Sequence, residues 1–145
     1  MYYLYIMSHG IFHLFVYGSL RSGFKAPAYE YISRFFNFVG DAKVKGKLYD
    51  LGEYPAGKPA QEESWVIGEL YIIKNEHEFS WAIGQLDDYE GVNCEQGEIQ
   101  LFRRELTDVM INDKMVVAWI YWFNGNVDGK PAIASGDMME YLQKK

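Results

Sequence analysis

Two short segments, far apart in the chain, carry residue types that could hold an anion and move a proton: Phe15-Val16-Tyr17-Gly18-Ser19-Leu20 and Leu86-Asp87-Asp88-Tyr89-Glu90-Gly91. In the first, an apolar run breaks at Gly18-Ser19. That is the pattern of a buried strand ending in a turn whose backbone N–H groups stay available to an oxyanion or carboxylate. In the second, Glu90 follows an apolar helical stripe and precedes a glycine, so it falls where a helix stops. A carboxylate there faces the negative end of the helix dipole, which disfavours its ionised form. The charges of Asp87 and Asp88 act in the same direction. A carboxyl poised nearer neutrality is the better proton shuttle. Each segment also has a plainer reading: an ordinary strand-ending turn, and a solvated helix end at which Asp87 and Asp88 are structural or solvating.

Other reactive side chains offer less. Ser19 has no Gly-x-Ser-x-Gly elbow around it and no histidine in a telling position, which argues against a serine nucleophile. Tyr121 lies in a strand rich in rings and is either a core aromatic or a pocket residue whose hydroxyl reaches Glu90 or substrate. Arg103-Arg104 reads as one solvated and one paired arginine, and Arg21 stands close enough to the first segment to meet a substrate carboxylate. His9 and His13 have a metal-ligand spacing only on a helix, whereas Gly10 and the apolar run around them indicate a strand. Cys94 has no catalytic partner and reads as a buried or half-buried thiol.

These residues must be positioned by a chain of 145 residues. A chain of that length fits one domain burying roughly 68–70% of its unfolded surface. Aromatic residues make up 17% of it, which favours strands with half-buried faces. The net charge of −6, with both signs interspersed, leaves no basic patch for nucleic acid. A single cysteine excludes an intramolecular disulfide and the common zinc spacings, and suits a reducing cytoplasm. Residues 1–10 are apolar but lack a basic leader and are broken by Ser8, His9 and Gly10, so they read as an extension of unknown role ahead of a single domain at 11–145. No run reaches the length of a membrane span.

Along the chain, Ile11 to Tyr17 reads as a buried strand, and Pro27 opens a helix carried by Ala28, Ile32 and Phe35 or Phe36. Phe38 to Tyr49, interrupted by Gly40 and Gly46, reads as a bent or bulged strand. Asp50 to Glu63, with two glycines and two prolines, reads as a long loop. Trp65 to Ile73 is a strand. Asn75 is placed to cap a helix on which Phe79, Ala82 or Ile83, Leu86 and Tyr89 share a face. Ile99 to Ile111 and Lys114 to Phe123 pair as a hairpin about Asn112-Asp113. Asp137 caps a short last helix. The order points to an α+β fold with a curved mixed sheet or small barrel.

With these elements in place, the chain resembles the gamma-glutamylcyclotransferase-like family. The carriers are Tyr17-Gly18-Ser19-Leu20 with Gly23, Gly46-Lys47-Leu48-Tyr49-Asp50-Leu51 leading to Tyr54-Pro55-Ala56, and Gly68-Glu69-Leu70-Tyr71. They continue through Leu86-Asp87-Asp88-Tyr89-Glu90-Gly91, Phe102-Arg103-Arg104, Ala118-Trp119-Ile120-Tyr121 and Ser135-Gly136-Asp137. The resemblance implies a small mixed β-barrel flanked by helices. It also implies a pocket formed by residues 17–20 and the family's acid, which falls on Glu90, with the barrel tyrosine on Tyr121. Phe102 departs from the pattern, since members often carry a tyrosine there. The implied reaction is intramolecular attack of a γ-glutamyl compound's α-amine on its own side-chain carbonyl, giving 5-oxoproline and a free amine, with neither metal nor cofactor. The alternatives are hydrolysis of a related amide, and a non-catalytic module binding a small metabolite or a protein on the same fold. Leaving amine and oligomeric state are not legible in the sequence.

Overall fold

The computed structural model describes residues 10–18, 27–52, 54–92 and 100–144. Ser19, Leu20, Arg21, Cys94 and residues 1–9, His9 included, lie outside the described residues. The elements are β1 (His13–Val16), α1 (Pro27–Phe35), β2 (Phe36–Asp50), β3 (Pro55–Pro59) and β4 (Trp65–Ile73). A 3-10 turn (Glu76–Glu78) then leads into α2 (Phe79–Tyr89), followed by β5 (Phe102–Ile111), β6 (Lys114–Phe123) and α3 (Met138–Lys144). The sheet order is β3-β2-β4-β1-β6-β5, and a further pairing of β2 with β5 closes five of the strands into a barrel. Closure leaves those five strands without a free edge. β1 runs parallel to β6, and the other strand pairs are antiparallel, so the barrel is mixed.

β2 makes closure possible because it changes partner along its length. It pairs with β4 from Phe36 to Lys45, touches β5 at Lys43, and pairs with β3 from Gly46 to Asp50. Its register against β4 shifts between Phe38 and Gly40. This is the expected bulge, and bulges bend and twist a strand. The stretch expected to be a long loop between Asp50 and Glu63 instead contains β3. Among the described residues that strand pairs only with β2, and proline is tolerated on such an edge because the missing N–H breaks no second ladder. Pro55 and Pro59 mark its two ends.

Strand alternation separates two cores. Phe15, Val44, Leu70, Ile120 and Trp122 pack in the cluster enclosed by the strands, which α3 joins through Met138. Leu14, Val16, Tyr71 and Tyr121 belong to the other, together with Ile32 of α1 and Ala82, Ile83 and Leu86 of α2. The β5–β6 hairpin turns on Asn112 and Asp113, both with positive φ (49° and 64°), as a two-residue type I′ turn requires. Asp137 Oδ1 accepts from the N–H of Met139 at 3.0 Å and caps α3. Asn75 caps the 3-10 turn through His77 N–H rather than α2 itself. Among the described residues, no helix is long and apolar enough to cross a membrane.

Candidate functional site

The end of α2 is set by its sequence. Gly91 takes φ +70°, its N–H bonds Asp88 O at 3.3 Å, and Val92 N–H bonds Asp87 O at 2.9 Å. This is a Schellman ending with glycine at the left-handed position. It leaves Glu90 as the C-cap residue, with near-helical backbone (φ −84°, ψ 0°). Its position places it in the wall of a cavity of about 340 Å³. Tyr17 and Gly18 at the end of β1 line the same cavity, as does Tyr121 of β6. The described members of the two sequence-distant segments therefore meet at one hollow, while Ser19 and Leu20 fall outside the described residues.

Glu90 keeps some exposure as a residue, yet burial pushes its carboxyl up to about 7. No hydrogen bond or ion pair reaches that carboxyl from the described residues. The cause is desolvation, which disfavours the charged form. The expected contribution of Asp87 does not enter, because Asp87 is buried and neutralised by Arg104. Arg104 Nε donates to Asp87 Oδ1 at 2.8 Å and Nη2 donates to Oδ2 at 3.1 Å. The same Oδ1 accepts the Tyr121 hydroxyl at 2.8 Å. Tyr121 thus lines the cavity, but its hydroxyl goes to Asp87 and not to Glu90. Both adjacent arginines are paired, where one was expected to be solvated, and Arg104 also stacks over Trp119 at 4.4 Å. Arg103 binds exposed Glu105 at 3.0 Å.

Asp87 works as a clamp that sequence reasoning passed over as structural or solvating. Arg104 and Tyr121 are direct partners across the β5–β6 ladder, and both reach the carboxylate of Asp87 on α2. The last turn of the helix is thereby fixed to the barrel three residues before Glu90. The signal available in the sequence was the hairpin register, which sets an arginine beside a tyrosine on one face.

Tyr17 is also buried, and its hydroxyl donates to the backbone carbonyl of Tyr121. Burial and the nearby charge of Glu90 raise its phenol far above the ordinary value. Tyr121 is raised by burial and then by Asp87. Both phenols therefore stay protonated, as donors. Gly57 of β3 allows this arrangement, since a Cβ there would stand 2.7 Å from the Tyr17 hydroxyl. At Gly18 an added Cβ would come within 3.2 Å of Pro55 Cγ, across the cavity wall. Among the described residues, no group of three or more His, Cys, Asp or Glu side chains is arranged to hold a metal ion.

Comparison with known proteins agrees with this architecture. The family model described as gamma-glutamyl cyclotransferase, AIG2-like matches residues 14–140. The gamma-glutamylcyclotransferase family protein YtfP of Escherichia coli (strain K12) is 30% identical over 128 residues, covering 88% of this chain and 96% of its own. The putative gamma-glutamylcyclotransferase MJ1514 of Methanocaldococcus jannaschii is 25% identical over 132 residues, covering 89% and 97%. The solution structure of ytfP from Escherichia coli superposes with a TM-score of 0.61 at 28% identity, over 90% of this chain and 98% of that one.

Proposed function

The chain belongs to the AIG2-like gamma-glutamyl cyclotransferase family, and from that premise we propose that it cleaves γ-glutamyl amides by cyclisation, with Glu90 as the single proton carrier. The substrate brings its own nucleophile. Its α-amine nitrogen bonds to the γ-carbonyl carbon, the tetrahedral intermediate collapses, and the bond from that carbon to the leaving nitrogen breaks. The products are 5-oxoproline and the free amine. Glu90 takes a proton from the α-ammonium so that the nitrogen lone pair can attack, and gives it to the departing nitrogen; the ring nitrogen then sheds a second proton, which the same carboxylate passes to the freed amine, so that the amine leaves as an ammonium. No proton is gained or lost overall.

The observation that carries this reading is a desolvated carboxyl, without a partner among the described residues, in the wall of a cavity shared with the end of β1. An ordinary glutamate lies about 3.5 units below an α-ammonium of pKa roughly 8, whereas a carboxyl near 7 lies about one unit below it. The narrower gap removes roughly 3 kcal/mol from the uphill first transfer, at about 1.36 kcal/mol per unit. It also leaves enough acid form for the second transfer, which is why a shuttle works best near the operating pH. Gly18, with the N–H groups of residues 19 and 20, is assigned to the substrate's α-carboxylate or the developing oxyanion. Folding the glutamyl chain onto itself supplies the remaining advantage through orientation.

The test is to incubate the protein with γ-glutamyl amines and follow 5-oxoproline. Glu90→Gln should abolish its release while leaving the fold intact. Release near the unmodified rate would refute the assignment, and free glutamate in place of 5-oxoproline would show a hydrolase.

A further inference from the structure

We propose that Tyr54, Phe102 and Lys58 form the leaving-amine subsite of this pocket, and that it selects γ-glutamyl compounds whose amine carries an apolar body ending in a carboxylate. This rests on the cyclotransferase reading for its chemistry, but the subsite is defined by the walls themselves. Tyr54 and Phe102 line the cavity. Their ring centroids are 5.8 Å apart, and Phe123 packs behind both, at 6.3 Å from Tyr54 and 5.6 Å from Phe102. The result is a three-ring shelf, a surface that takes apolar bodies well and offers few polar partners.

The far edge of the shelf is cationic. β3 runs from Pro55 in the cavity wall to Lys58, whose Nζ stands 5.5 Å from the centroid of the Phe123 ring. β5 steps from Phe102 to Arg103, whose Nη1 reaches the carbonyl of Phe123 at 3.5 Å. Lys45, Lys47 and Lys144 each have a carboxylate within ion-pair distance. Half-buried Lys58 has none among the described residues, and its Nζ lies over a ring. Burial and the proximity of Arg103 both lower its pKa, the direction expected of a cation that lacks a counter-charge. Asp88 and Glu90 line the same cavity. The pocket is therefore acidic where the proton moves and basic beyond the rings, and an amine with an acidic end matches that polarity.

The experiment compares three compounds with one glutamyl head, the γ-glutamyl amides of 4-(2-aminoethyl)benzoate, phenethylamine and 1,4-diaminobutane, with γ-glutamyl-methylamide as the reference. For 5-oxoproline release, kcat/KM should fall in that order, with about a three- to tenfold step between the first two. In Lys58→Gln the ratio of the first to the second should collapse towards one, mainly through KM. In Lys58→Glu it should invert, with the diamine compound gaining. Tyr54→Ser should lower both aromatic compounds about tenfold relative to γ-glutamyl-methylamide. The same compounds are titrated by calorimetry into the Glu90→Gln protein, so that affinity is read without turnover. If none yields 5-oxoproline, the cyclotransferase reading fails, and the order of dissociation constants still decides the subsite. Preference for the diamine compound, or an aminoethylbenzoate-to-phenethylamine ratio untouched by both Lys58 substitutions, overturns the proposal.

Discussion

Replacing Glu90 by glutamine should make the protein inactive and, above neutral pH, more stable. Moving the carboxyl from 4.5 to about 7 corresponds to about 3 kcal/mol of unfavourable ionisation in the folded state. Below about pH 4.5 the group is protonated whether folded or unfolded and carries no penalty. Between about 4.5 and 7 the folded chain holds a proton that the unfolded chain has released, so folding stability declines as pH rises. Above 7 both states are ionised, and the folded state bears the full cost. Glutamine fills nearly the same volume, accepts and donates hydrogen bonds, and never ionises.

Urea unfolding of both proteins at pH 4.5 and pH 8 checks this. The two should nearly coincide at the lower pH. At pH 8 the glutamine form should be more stable by about 1–3 kcal/mol, or a Tm roughly 2–10 °C higher for a domain of this size. Over the same range kcat should fall by about 10²- to 10⁴-fold, the contribution of a general acid-base. Stability curves that run parallel from pH 4.5 to 8 would refute the desolvated carboxyl, and with it the reason for choosing Glu90 as shuttle.

Four further outcomes follow from the site. In the unmodified protein, kcat/KM should rise with pH through a midpoint near 7, because Glu90 must be ionised to accept the first proton; a midpoint below 5 would contradict its burial. Arg104→Met leaves the buried Asp87 carboxylate without its charge partner, and urea unfolding should show a loss of about 3 kcal/mol. Tyr121→Phe removes a single hydrogen bond to Asp87, should cost about 1–2 kcal/mol, and should lower kcat less than Glu90→Gln. Gly57→Ala drives a methyl group against the Tyr17 hydroxyl; it should cost about 1–3 kcal/mol and raise KM as the ring shifts in the cavity wall.

The fold was legible wherever local chemistry had one outcome. Asn112-Asp113 between two β-prone runs reads as a tight hairpin, and the backbone takes positive φ at both residues. Gly40 within a β-prone run reads as a bend, and the register of β2 shifts there. β3 was not legible, because Pro55 and Pro59 read as loop residues unless the strand is known to lie at an edge. The partner of β3 is the far end of β2, and no local pattern reports a long-range pairing. Barrel closure by β2 and β5 is likewise a tertiary event, with Lys43 opposite Met110 as its only ladder contact.

The site divides along the same line. That Glu90 ends a helix follows from an apolar stripe and one glycine. What desolvates its carboxyl is the cavity wall assembled from β1, β3, β5 and β6, and that assembly is not local. The contrast with Asp87 makes the physics clear. Two carboxylates three residues apart on one helix end differ because Asp87 meets a ladder position holding Arg104 and Tyr121, whereas Glu90 lies in the cavity wall. The first is buried with a bidentate partner and holds the helix in place. The second has no partner among the described residues, and burial makes it hard to ionise. Helix dipole and like-charge repulsion, which act on both residues alike, cannot produce that difference; the unequal environments can. A helix end clamped by one carboxylate and left open at the other therefore gives the cavity a titratable group near neutrality on a rigid support.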